Sequence, residues 1–126
     1  MKITGFNPLI VTKDAESVIA LFEALGFERR HNLQANTGTT DFNSVRMKDA
    51  NGFHVDVANL PNVAQDLTLI RVNVDDFDEA CKFLTERGFV NPRGDHTVDT
   101  KSNKSCMMKS PSGFAFDLCQ HIKDHD

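Results

Sequence analysis

The sequence predicts an α+β domain in which tandem βαβββ repeats form a curved eight-stranded mixed sheet with a concave cleft. Three observations carry this expectation. Lys48-Asp49-Ala50-Asn51-Gly52-Phe53-His54-Val55-Asp56-Val57 aligns with Lys109-Ser110-Pro111-Ser112-Gly113-Phe114-Ala115-Phe116-Asp117-Leu118 at an offset of 61 residues, with Lys, Gly, Phe and Asp coinciding. Upstream, Asp14 to Leu25-Gly26-Phe27 aligns with Asp76 to Arg87-Gly88-Phe89 at an offset of 62. In both copies the apolar spacing is helical in the upstream segment and alternates in the downstream one. A tandem duplication accounts for all three.

The elements follow from local chemistry. Residues 3–11 read as a strand, with Pro8 marking an edge or a distortion because it lacks an N–H. Asp14 caps a helix whose stripe is Val18, Ile19, Phe22 and Leu25, and Gly26 ends it. Strands are expected at 28–33, 42–48 and 53–58, with Asp49-Ala50-Asn51-Gly52 as the turn between the last two. Residues 59–66 form a linker, so repeat one spans about 3–58 and repeat two about 67–122 of a single domain, 1–126. Repeat two has a strand at 67–74 and a helix at about 77–87 with Ala80, Cys81, Phe83 and Leu84 as its buried stripe. Strands follow near 90–92, extending toward Val98, and at 105–109 and 114–121. The polar stretch 97–104 reads as a loop or strand end, and 123–126 as a frayed tail.

Composition narrows the function classes. At 126 residues the chain fits one domain. Its 40% hydrophobic and 25% charged residues are those of an ordinary globular protein, with no apolar run long enough for a membrane span and no signal-peptide h-region. A cytoplasmic protein without a membrane partner is expected. A net charge of -4 with no basic run argues against nucleic acid. Cys81, Cys106 and Cys119 form no CxxC pair and no disulfide framework, which suits reduced, partly buried thiols. No P-loop, GxGxxG or Ser-His-Asp order is present.

One helix covers one face of each four-stranded unit, so residues alternating away from it are expected to line the cleft. These are Asn7, Leu9 and Val11 on the first strand, and Leu67, Leu69, Arg71 and Asn73 on the fifth. On the fourth strand they are His54 and Asp56, and on the eighth Ala115, Asp117, Cys119 and His121.

The run from Val11 to Asp14, the helix, Leu25-Gly26-Phe27 and the Gly-x-x-x-Asp-apolar strands at Gly52–Val57 and Gly113–Leu118 resemble the vicinal-oxygen-chelate superfamily. That is the glyoxalase, bleomycin-resistance and extradiol dioxygenase group, and the resemblance covers Ile3 to Ile122. It implies the glyoxalase/bleomycin-resistance fold and a homodimer. It also implies that metal-dependent members place His, Gln or Glu ligands at positions matching Asn7, Asp56, Leu69 and Asp117. This sequence departs from that pattern. Leu69 has no donor atom, Asn7 is a weak neutral ligand, and the two aspartates are a methylene shorter than glutamate.

Three roles are open to Asp56 and Asp117: a solvated or ion-paired carboxylate beside Arg46 or Arg71, a ligand contact, or a divalent-metal ligand with waters. Arg71 suits bidentate recognition of a carboxylate or phosphate, and equally a salt bridge to either aspartate. His54 shares its strand face with Asp56; the other histidines are His31, His96, His121 and His125. Cys106 and Cys119 are the thiols that could reach the cleft. With no Trp or Tyr, an aromatic clamp would rest on residues such as Phe42.

The ligand-binding set is therefore Asn7, His54, Asp56, Leu69, Arg71 and Asp117, with no cofactor. Two functions are expected in turn. One is a small-molecule binder like the bleomycin-resistance branch, without a full metal quartet. The other is a glyoxalase-like lyase or dioxygenase-like enzyme with a reduced divalent-metal site at Asp56 and Asp117. A vestigial module acting through another chain is the plainest third.

Overall fold

The computed structural model of the chain describes residues 1–36, 41–94, 97–99 and 103–121. The elements are β1 (Ile3–Thr12), α1 (Ala15–Ala24), β2 (Glu28–Asn36), β3 (Asp41–Lys48), β4 (His54–Asn59), β5 (Leu67–Val74), α2 (Phe77–Thr85), β6 (Val98–Asp99), β7 (Asn103–Lys109) and β8 (Ala115–His121). The two βαβββ repeats form an eight-stranded mixed sheet in the order β2-β3-β4-β1-β5-β8-β7-β6. The described residues divide into two compact units, one of 7–69 and the other of 1–6 with 70–121.

In the first unit, β1 runs parallel to β4 while β2, β3 and β4 are antiparallel neighbours. Asp14 caps α1, accepting from the Ser17 amide and from Ser17 Oγ. At the other end the Phe27 amide reaches back to the Phe22 carbonyl across Gly26, whose φ of 105° a side chain would oppose. That closure brings Phe27 edge-on to Phe22, with ring centroids 5.4 Å apart. Ile19 is buried against Val45, Met47, Val55 and Val57, so α1 covers the alternating apolar face of β3 and β4. The β3–β4 turn is held by Asp49, whose carboxylate accepts from the Asn51 and Phe53 amides.

The second unit repeats this chemistry. Asp76 caps α2 by accepting from the Glu79 amide, and the Phe89 amide bonds the Leu84 carbonyl across Gly88. Phe77 and Ala80 are buried against Val74, Cys106, Met108, Phe116 and Leu118. β5 is parallel to β8, and β7 is antiparallel to β8. Ser110 takes the place of Asp49, its Oγ accepting from the Phe114 amide.

Several expectations need correction. β1 stands inside the strand order, so Pro8 marks no edge. β1 runs through Pro8 from Ile3 to Thr12, and its parallel register with β4 covers Leu9 to Thr12. Leu25 caps α1 and is exposed, and Phe83 is exposed with the Arg87 guanidinium 3.6 Å above its ring. Both sit at the solvent side of their helix, where a cation or the helix end satisfies them without a core. Phe53 and Phe114 precede their strands and are exposed. The strand expected from Val90 toward Val98 is broken: Val90 makes one bridge to Lys109, a turn with Gly94 at φ 69° follows, and β6 is two residues long. Pro92 and Gly94 explain the break, since neither favours a paired strand. The tail 123–126, His96 and His125 lie outside the described residues.

Removing the α2 cap with Asp76→Ala leaves the Glu79 amide unsatisfied. Urea unfolding is expected to show a loss of about 1 kcal/mol, against no measurable change for the exposed Asp66→Ala.

Candidate functional site

The repeated aspartates are placed by the same local logic. Val55 and Val57 of β4 face α1, so alternation turns His54 and Asp56 to the opposite face. Phe116 and Leu118 of β8 face α2, which turns Asp117 away from it.

Asp56 has a side chain only 1% exposed, and burying a lone carboxylate there would be costly. Arg46 and Asn7 compensate it. Arg46 Nη1 lies 3.3 Å from Oδ1 and 3.2 Å from Oδ2, and Asn7 Nδ2 donates to Oδ2 at 3.0 Å. Arg46 is there because the antiparallel register pairs it directly with Asp56. On the other flank the parallel register sets Leu9 against Asp56. Asn7 is itself buried; its Nδ2 also reaches the Pro8 carbonyl at 2.8 Å, while its Oδ1 has no hydrogen-bond partner among the described residues.

Asp117 is compensated from the opposite side. Arg71 Nε donates to Asp117 Oδ2 at 2.7 Å, and both side chains are 13% exposed. Here the arginine comes from the parallel neighbour β5, and the antiparallel neighbour β7 offers Met107. By the repeat offsets Arg71 corresponds to Leu9, and Met107 to Arg46. Each repeat therefore carries one aspartate with an arginine on one flank and an apolar residue on the other, and the flanks are exchanged.

The six sequence-derived site residues land as follows. Asn7 and Asp56 meet with Arg46, and Arg71 meets Asp117. His54 is partly buried at the start of β4, opposite Lys48. Leu69 is partly buried in β5. Phe42 is partly buried and alternates onto the face of Arg46. Cys106 does not join this set: it packs in the core under α2, and burial pushes its thiol up to about 12. Cys119 is fully buried.

Sequence reasoning treated Arg46 only as an ion-pair candidate, yet its role was readable. A turn joining Lys48 to His54 fixes the antiparallel register, and two residues further along each strand stand Arg46 and Asp56. Asn73 was also missed as a site residue. It is 2% exposed with no partner on Oδ1, and a side chain on Gly5 would come within 2.8 Å of its Nδ2. Its burial comes from that close backbone approach, which strand periodicity does not report.

The donor set fits a four-ligand divalent site poorly. Leu69 has no donor, Asn7 offers one neutral oxygen, and each aspartate already carries a guanidinium that repels a cation. Among the described residues no group of three or more His, Cys, Asp or Glu could hold a metal ion. No described helix is long and apolar enough to cross a membrane.

Truncating Arg46 would remove the guanidinium from the buried Asp56 charge. Arg46→Ala is expected to destabilise the protein by about 3 kcal/mol in urea unfolding. Arg46→Ala with Asp56→Asn should recover part of that loss; equal stability of the single and double variants would show that the charge is not what costs.

No protein-family model matches the sequence, and no curated protein matches it. Solved structures do. A methylmalonyl-CoA epimerase shares 20% identity over 93% of this chain and 94% of its own, with a TM-score of 0.69. A glyoxalase/bleomycin resistance protein/dioxygenase superfamily member from Vibrio splendidus 12B01 shares 17% over 96% of this chain and 100% of its own, with a TM-score of 0.54. A variant of glyoxalase I from Zea mays shares 13%, with a TM-score of 0.63; the match takes in 98% of this chain and 46% of that one. Together with the duplicated βαβββ units, these likenesses give the chain the glyoxalase/bleomycin-resistance/dioxygenase fold.

Proposed function

We propose that the protein binds a small molecule without a full metal quartet, through the strand faces that carry Asn7, His54, Asp56, Leu69, Arg71 and Asp117. The observation that supports this most is the arginine on each aspartate, Arg46 on Asp56 and Arg71 on Asp117. A carboxylate paired at these distances leaves little net negative charge at the site for a divalent cation, and the guanidinium opposes the cation directly. What remains is a set suited to recognition. Arginine presents a fixed fork of donors for a carboxylate or phosphate. Asn7 Oδ1 is a buried acceptor that a ligand N–H or O–H could satisfy. Leu69 and Met107, both partly exposed, supply apolar area on these strands.

Two measurements test the reading. Elemental analysis of the purified protein is expected to find no stoichiometric transition metal. About one Ni, Zn, Fe or Mn per chain would overturn it in favour of a glyoxalase-like lyase or dioxygenase-like enzyme using Asp56 and Asp117. A thermal-shift screen of small oxidised metabolites and antibiotics should yield a stabilising ligand, since binding raises Tm by mass action. For an anionic hit, Arg71→Ala is expected to weaken affinity by about tenfold or more, the range of one charge-assisted contact. An unchanged affinity would reduce Arg71 to the ion partner of Asp117. The homodimer implied by the resemblance is checked by light scattering, which should give twice the chain mass.

A further inference from the structure

The two repeats are not equally filled on their helix sides. In repeat one a space of about 250 Å³ lies between α1 and the strands, bounded among others by Ile19 and Val45. In repeat two the corresponding space, between α2 and β7, reaches about 480 Å³. The offsets of 62 and 61 residues set Cys81 where Ile19 stands and Cys106 where Val45 stands, so two branched aliphatic walls become two smaller thiols. The third wall changes as well: β2 is nine residues long, whereas the described residues of its counterpart form one bridge at Val90, a turn and the two-residue β6. Ligand pockets run from about 300 to 1,000 Å³, so the first space falls short and the second does not.

The chemistry of the larger space is specific. Phe77, Phe89, Cys81, Cys106 and Met108 supply apolar lining, and Thr85, Asn91 and Thr97 add uncharged polar groups. Burial raises both thiols, Cys106 to about 12, which keeps this wall uncharged at neutral pH. Among the described lining residues Lys104 is the one cation and Asp78 the one acid. The position of Lys104 is held by Asn43 in repeat one. Its Nζ lies 5.2 Å from the centre of the Phe77 ring and 3.7 Å from Asp78 Oδ1. Asp78 is 90% exposed, so that pair is weak and solvent-screened, and a ligand anion can replace it.

We propose that the cavity between α2 and β7 is a second small-molecule site, which takes an apolar monocarboxylate of aromatic size with its ring against Phe77 and Phe89 and its carboxylate on Lys104. It is separate from the face of Asp117, because Lys104, Cys106 and Met108 alternate onto the α2 side of β7.

The test is isothermal titration of the full chain with 2-naphthoate, using neutral 2-naphthamide as the partner probe. Wild type should bind both. Lys104→Gln should weaken naphthoate by about tenfold or more while changing naphthamide by less than about twofold. Cys81→Ile with Cys106→Val, which restores the repeat-one walls, should remove binding of both. Far-UV circular dichroism confirms the fold of each variant. In wild type, where folding is not in question, saturating naphthoate should slow alkylation of Cys81 by iodoacetamide at least fivefold. No binding by wild type at millimolar probe, an unaltered naphthoate affinity in Lys104→Gln, a refilled variant that binds as wild type does, or an unprotected Cys81 would each overturn the proposal.

Discussion

Each half of the sheet has one helix with which to bury one face, and every other feature is arranged around that constraint. A helix of ten residues, α1, or nine, α2, presents two or three turns, enough to cover the apolar alternates of two strands. Ile19 alone is fully buried on α1, yet it touches the block of Val45, Met47, Val55 and Val57. Because strand side chains alternate, committing those residues to the helix commits Arg46, His54 and Asp56 to the other face. A slip of one residue would put the carboxylate under the helix and the valines opposite, so the register is strongly held.

That commitment creates an electrostatic problem, which the two repeats solve differently. An aspartate on a largely buried strand face needs a counter-charge within hydrogen-bond reach. In repeat one it arrives from the antiparallel neighbour as Arg46, and in repeat two from the parallel neighbour as Arg71. The duplicated position is the aspartate; the arginine was not duplicated with it. Divergence of this kind leaves the backbone unchanged and alters which flank of each carboxylate is polar. It is the physical basis for reading these faces as a recognition surface rather than a cation site.

The same asymmetry operates on the helix sides. Repeat one is closed by a nine-residue β2 and by Ile19 and Val45, whereas repeat two has a broken strand and two cysteines. Packing density in a core tolerates little lost volume without leaving space. The larger cavity under α2 is lined by the residues that differ, Cys81, Cys106 and Gly94 among them.

The sequence by itself determined the architecture. Capping aspartates, glycines at left-handed positions and a strand whose apolar period is two are local signals, and they recurred at nearly constant offset, so the element types and most boundaries could be read directly. It also located Asp56, Asp117 and Arg71 on one kind of face. The tertiary structure decided what those residues touch. Whether Asp117 meets Arg71 or another cation depends on the parallel β5–β8 register, and no turn in the sequence sets that register. Whether Cys106 faced the core or the polar side, and whether Asn73 was buried behind Gly5, were likewise matters of packing between segments distant in the chain. Local chemistry fixes how a strand alternates; only the pairing of strands fixes which neighbour each alternating side chain finds.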